Sequence, residues 1–292
     1  MSSKTFTAQT KLAQLIAQRV GFKIKKQRNS LPVPAQEGGY SRQGARPSGF
    51  VFDQRVPLAE RALKREELKR LRQQHNIESI LAQAMQYCPD TKTDGYVDPD
   101  WFERFMSLAE DSATASMQQL WAKILAGETL APGTFSIKSL QTLKQMTQRE
   151  ALAIQKAAAL CAQLDFDHSH IILLGYYKRP SLFDLLRKGN KEQLNLAKAG
   201  LSYPQILTLM DCAVLYRKEI ESANFRAKQQ LKLRFYDTSL TLTAKNSDLV
   251  LSYYKFTQTG DELRRLLRAT LSPTFKQAIE QALQRDFELE WS

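Results

Sequence analysis

Cysteine is scarce. The chain of 292 residues holds three, Cys88, Cys161 and Cys212, far apart and odd in number. Such a set excludes a disulfide framework and reads as reduced core residues, the usage expected of a cytoplasmic protein. Histidine is equally rare, with only His75, His168 and His170. The 12 glycines and 10 prolines are too few for a collagen-like or low-complexity chain. No run approaches the ~18–20 apolar residues that a membrane span requires. The basic N-terminal stretch is followed by no continuous apolar segment, so a secretory signal is not expected. Acid is missing altogether before Glu37.

What is present is a core and a charge imbalance. Hydrophobic residues make up 43% of the chain, which excludes disorder of the whole and suffices for one large domain or two small ones. Of the formal net charge of +12, residues 1–75 carry +11, from 16 basic and 5 acidic residues. An excess placed this way attracts polyanions or acidic surfaces through its long-range field, and says nothing about fold.

Residues 5–26 are expected to form a short basic amphipathic helix, with Ala8, Leu12, Leu15, Ile16 and Val20 at helical spacing. A helix of that length is marginal in water and needs a surface to order it. Residues 29–49 are rich in Gly and Pro and read as a flexible linker. From Leu58 to about Tyr87 the pattern is helical again. Its first half is a mixed-charge run that resembles a solvated helix or a short coiled-coil arm, and the chain is a candidate homo-oligomer. Its second half (Ile77, Ile80, Leu81, Ala84, Met85) is a stripe suited to docking on a core.

Start signals then cluster. Asp98-Pro99-Asp100 supplies a capping acid and a proline at the first helical position. Ala131-Pro132-Gly133 suits a type II turn, and Ser136 caps the helix after it. Thr147 with Glu150 makes a capping box for a helix expected to reach Leu164. Ser202 with Gln205 and Thr259 with Glu262 repeat the pattern, and Ser272 precedes Pro273. Strand-like runs follow: Ile171–Tyr177, the alternation through Leu231, Leu233 and Phe235, and Leu240 with Leu242. Leu249–Phe256 is expected to pair with the preceding run around Asn246-Ser247.

The stretch from Met117-Gln-Gln-Leu-Trp-Ala-Lys-Ile-Leu-Ala-Gly-Glu128 to Pro132-Gly-Thr-Phe-Ser136 resembles an uncharacterised group of bacterial cytoplasmic proteins, domain of unknown function 2806. The resemblance extends over roughly residues 76–268, outside the basic N-terminal 75, and it implies no activity. Read from the residues, Leu120, Trp121, Ile124 and Leu125 share a helical face, and Gly127 suits a helix end with left-handed φ. Phe135 is expected in the core beside Trp121. Glu128 and Ser136 are the polar members of the motif, read as caps, Glu128 at the surface, with a polar site at the helix end as the alternative. Residues 201–215, with the strands after them and Phe256–Leu263, are similar to a winged-helix domain, but Asp211-Cys-Ala213 lacks the usual glycine.

Chemistry-bearing motifs are few. No Ser or Cys nucleophile has a recognisable setting, and neither a phosphate loop nor a dinucleotide fingerprint occurs. His168 and His170 lack a second ligand cluster, so they read as a polar loop before a strand. No catalytic, cofactor-binding or metal-ligating residue is therefore expected. Lys178, Arg179, Arg187, Lys188 and Lys191 are a basic series, and Arg217 and Lys218 begin another. Basic residues interleaved with Phe225, Phe235 and Tyr236 suit backbone neutralisation and stacking on nucleic acid, and the alternative, given Glu219 and Glu221 close by, is a solvated face of long side chains. The anion-binding candidates are Lys23, Lys25, Lys26, Arg28, Arg226, Lys228, Lys232 and Arg234.

The expected fold is mainly α and α+β overall. Residues 1–28 form the basic segment, 29–56 the linker and 57–165 a helical domain. Residues 166–292 form a smaller α+β, winged-helix-like module. The expected function is non-enzymatic and cytoplasmic: binding nucleic acid or acting as a regulatory factor. The alternative is a protein-interaction or membrane-surface adaptor, in a defence setting, anchored by the N-terminal helix. The partner is then a polyanion, an acidic protein or a membrane surface, reached through residues 1–75.

Overall fold

Two apolar patterns, one at helical spacing and one at strand spacing, meet in a single core. The computed structural model describes residues 8–26, 50–52, 56–90, 96–179, 191–267 and 269–292. Arg28 and residues 29–49, where the linker was expected, lie outside them, as do Arg187 and Lys188 of the basic series.

The N-terminal helix is shorter than its composition suggested. α1 runs Ala8–Val20 and ends at Gly21, whose φ of +83° breaks the helix. The chain then enters β1 (Ile24–Lys26), which pairs antiparallel with β2 (Phe50–Phe52). Lys25 and Lys26 therefore sit on a strand rather than a helix, and part of the expected linker is itself a strand.

α2 (Leu58–Tyr87) has the bounds expected from its pattern, and its buried residues begin only at Asn76. α3 (Pro99–Ala109) starts at Asp98, which accepts from the Asp100 N–H at 2.8 Å. α4 (Ala115–Leu130), α5 (Ile137–Gln145) and α6 (Gln148–Ala158) complete the helical part. α6 keeps its capping box but stops at Ala158, not Leu164. Residues Cys161–Leu164 are β3, a central strand of the sheet, between β7 and β4. Local capping signals fix where a helix begins; where it ends was decided here by strand pairing with β4.

The remaining elements are β4 (His170–Lys178), β5 (Lys191–Gln193), α7 (Tyr203–Asp211), β6 (Ile220–Glu221), β7 (Gln230–Arg234), β8 (Ser239–Ala244), β9 (Leu249–Lys255), α8 (Gln258–Arg264), α9 (Pro273–Leu283) and β10 (Phe287–Trp291). Strands β3–β10 form one antiparallel sheet in the order β10-β8-β7-β3-β4-β9-β6, with β5 on β4. The architecture is mixed α+β. Where a winged-helix-like module was expected, the chain builds this eight-stranded sheet. β8 and β9 do not pair around Asn246-Ser247: β8 lies between β7 and β10, and β9 between β4 and β6.

That separation requires a curled sheet. Four strand spacings put β10 and β4 about 19 Å apart in a flat sheet. Yet the Tyr176 ring on β4 meets Phe287 on β10 at 5.3 Å between centroids, and Phe225 meets Phe287 at 5.6 Å. The pairing of β4 with β9 is interrupted by a register shift between Leu173 and Gly175. Gly175 has φ +145°, and a Cβ there would stand 2.0 Å from the Glu192 carbonyl oxygen. Bulges of this sort are how a sheet bends.

The turn after α7 forms without glycine. Ala213 takes φ +54°, and the Val214 N–H reaches back to the Leu209 carbonyl at 2.8 Å. The carbonyl of Ala213 also accepts the Thr257 hydroxyl. Thr257, not Thr259, caps α8, accepting from the Gly260 N–H at 3.1 Å. One contiguous core runs from Ile77 and Trp121 through the sheet to Phe275 and Leu283.

Candidate functional site

The motif around Trp121 is a buried clasp. Trp121 is fully buried, with Phe105 packed edge-on at 5.5 Å. Gly127 does not end the helix: α4 continues to Leu130, and Gly127 lies where a Cβ would meet the Phe135 ring at 2.9 Å. Its lack of a side chain makes room for Phe135. The turn is the type II turn its sequence suggested, with Gly133 at φ +84° and the Thr134 N–H donating to the Ala131 carbonyl at 3.2 Å.

Glu128 was expected at the surface and is buried instead, 3% exposed. Its carboxylate accepts from the Gly133 N–H at 2.6 Å and the Phe135 N–H at 2.8 Å, closing the turn back onto α4. The Trp101 indole N–H donates to the Phe135 carbonyl at 2.7 Å. Glu262 on α8 is a second buried carboxylate. It accepts from the Ser136 N–H at 2.7 Å, the Ser136 hydroxyl at 2.9 Å and the Ser139 hydroxyl at 2.6 Å. The Gln258 amide supplies a fourth donor at 2.9 Å. Charge-assisted bonds in a dry setting are the strong ones, so these two acids tie α4, α5 and α8 into one unit.

Sequence reading missed Ser139, Trp101 and the role of Glu262. The Thr259 to Glu262 spacing did single out Glu262, but as a local cap, whereas three of its four donors lie more than 120 residues away, on Ser136 and Ser139.

The basic candidates are not brought together. Lys23 follows α1, and α1 packs against α2, where a Cβ on Gly21 would meet the Leu68 side chain. Arg226 and Lys228 lie in the exposed turn before β7, with Lys228 at φ +64°. Lys232 and Arg234 share a face of β7, opposite Thr241 and Ser239 of β8. Arg234 is paired with Asp165. Beyond β8, the β10 positions on that side carry Glu288 and Glu290, in register with Thr243 and Thr241. The β7 cations thus lie in a face of mixed sign rather than a continuous basic stripe.

The two histidines part company. His168 is exposed in the turn, at φ +55°, and His170 opens β4. His170 Nδ1 lies 2.8 Å from Asp261 Oδ1. Cys161, on the same face of β3 as the Gln163 that pairs with His170, has its thiol pushed up to about 12. Burial is the main cause, with Asp261 adding to it and Arg264 opposing. Cys161 therefore stays a neutral thiol.

A family model described as Protein of unknown function (DUF2806) matches residues 60–280. The chain belongs to this family. The match takes in most of α2, so residues 60–75 fall inside it, contrary to the expectation that the whole basic region stands apart. No curated protein matches the chain, and no solved structure does.

Proposed function

Taking that membership as the premise, we propose that the protein is a non-enzymatic, cytoplasmic nucleic-acid-associated factor that holds its polyanion through a basic helical arm. One observation carries this reading. Nearly all the net charge lies in residues 1–75, and none of the described residues of α1 or of α2 before Asn76 is buried. Arg65, Lys69 and Arg70 are exposed there, as are Arg19 and Lys23. Arg70 meets Glu66 at 3.4 Å, a surface pair of the kind that contributes little. Exposed cations on a helix can neutralise phosphates, and each neutralised phosphate releases counterions, so binding falls steeply with salt. Such cations position a protein without reading bases.

The test is binding of the full chain to a random duplex across a salt series, beside Arg65→Gln/Lys69→Gln/Arg70→Gln. The slope of log affinity against log salt should shrink by about 0.9 for each phosphate that is no longer neutralised. An unchanged slope removes the arm from the interface. A second reading, the protein or membrane-surface adaptor, is favoured by Leu12, Leu15, Leu58, Leu63 and Leu71, all more than half exposed on the same arm. Anionic vesicles in place of the duplex separate the two: binding to vesicles but not to duplex at low salt selects the adaptor.

A further inference from the structure

A cleft of ≈ 230 Å³ opens where α8 meets β3, β4 and β7, remote in sequence from the arm. Its walls carry His170, Gln163, Arg234, Tyr236 and Arg264, over an apolar floor that includes Cys161 and Leu267. Six buried side-chain atoms among the described residues lack a hydrogen-bond partner; two of them, His170 Nδ1 and Arg264 Nε, belong to residues that line this cleft, and a third, Asp261 Oδ1, sits against both. Asp261 Oδ1 stands 2.8 Å from His170 Nδ1 and 3.7 Å from Arg264 Nε. The three are close enough to attract but do not complete aligned hydrogen bonds. Buried polar groups are rarely left so, and a cluster of them beside a cavity marks a place built for something else.

We propose that this cleft binds a phosphate group, with Arg264, Arg234 and His170 as its donors. The donors come from three elements, α8, β7 and β4, and so surround a site rather than line one edge. That arrangement suits an oxyanion with several oxygens better than a planar carboxylate, and guanidinium forks match phosphate oxygens in pairs. With Nδ1 against Asp261, Nε2 is left for the ligand: it donates to a phosphate oxygen when the ring is protonated, and accepts from a P–OH when the ring is neutral. Among the described residues Arg234 is held by its pair with Asp165, in which both side chains are about half exposed. A surface pair of that kind yields readily to a better partner. The neutral Cys161 thiol adds no competing negative charge. This site is independent of the arm and stands whether or not the arm binds nucleic acid.

The phosphate could belong to a small molecule or to the end of a nucleic-acid strand, and one experiment covers both. The full chain is titrated with inorganic phosphate against chloride of equal ionic strength, reading binding by calorimetry and the melting temperature. The same is done for Arg234→Ala and Arg264→Lys. Wild type should bind phosphate and melt higher with it, and each variant should lose about tenfold in affinity, as expected for a charged hydrogen bond. Phosphate also stabilises proteins by exclusion from their surface. A rise in melting temperature of equal size in wild type and both variants therefore overturns the proposal, as does the absence of binding by wild type. If Arg264→Lys does not fold, Arg234→Ala, on an exposed strand position, decides alone. Oligonucleotides of one sequence, with and without a 5′-phosphate, then identify the source. A preference for the phosphorylated strand that disappears in Arg234→Ala assigns the cleft to strand ends. Equal binding of both strands beside tight inorganic phosphate assigns it to a small phosphate compound.

Discussion

The two ends of α2 show two ways of using one helix. Residues 58–75 have no buried member and carry six basic and three acidic residues. Residues 76–87 bury Asn76, Ile77, Ile80 and Ala84. The root is held by a polar seam: the Asn76 amide donates to the Glu110 carbonyl at 2.8 Å, and the Gln118 amide to the Ser112 carbonyl at 3.0 Å. Gln73 reaches Glu110 and Asp111, beside the Lys144–Asp111 pair. Above that seam, residue identity matters through charge; below it, and throughout the clasp of Glu128 and Glu262, it matters through shape and satisfied hydrogen bonds. Substitutions should therefore separate cleanly into those that unfold the protein and those that only change what it attracts.

The largest effect belongs to Trp121. Its indole N–H has no hydrogen-bond partner among the described residues, so its contribution there is packing. Trp121→Ala should cost roughly 3–5 kcal/mol, measured by denaturant unfolding, with loss of the whole fold rather than of any binding. Next come the two clasp acids. Glu128→Gln and Glu262→Gln each turn charge-assisted acceptors into an amide that presents a donor to N–H or O–H groups. Each should cost about 1–3 kcal/mol. The same change on the exposed Glu67 would cost almost nothing, and if Glu128→Gln behaved like it, the clasp would not be the unit described above.

Gly133→Ala should cost about 1 kcal/mol, from backbone strain alone, because nothing lies within 4 Å of the added carbon. Glu150 offers a test by pH. Hydrogen bonds from the Thr147 backbone N–H and then its hydroxyl hold its carboxyl below the usual glutamate range, against a small opposing effect of burial. A lowered carboxyl contributes stability above its unfolded pKa, and that contribution disappears as pH falls through the folded value. Acid unfolding followed by circular dichroism should therefore lose part of its pH dependence in Glu150→Gln. The smallest effect is on the arm: the Arg65/Lys69/Arg70 glutamine variant should change stability by no more than about 0.5 kcal/mol. Removing residues 1–50 should leave the melting temperature nearly unchanged. A fall of several degrees would show that the arm is part of the core after all.

Much of this protein was legible before any tertiary contact was considered. The start of α3 at Asp98, the capping boxes of α6 and α7 and the Pro132-Gly133 turn follow from residues within four positions of one another, because capping and turn chemistry are local. The bounds of α2 and the exposure of its first half follow from periodicity and charge for the same reason. The charge of the arm is a property of composition, and needs no fold to be known. Pairing across the chain decided the rest. Cys161–Leu164 is a strand because β4 and β7 flank it, although the run reads as a helix end. Glu128 and Glu262 are buried because their donors arrive from a turn and from a helix far along the chain. Gln163, His170, Arg234 and Arg264 line one cleft only because a curled sheet and α8 bring four separate segments to it. A sequence displays the cost of burying a charge, but the partners that offset that cost exist only once the chain has folded.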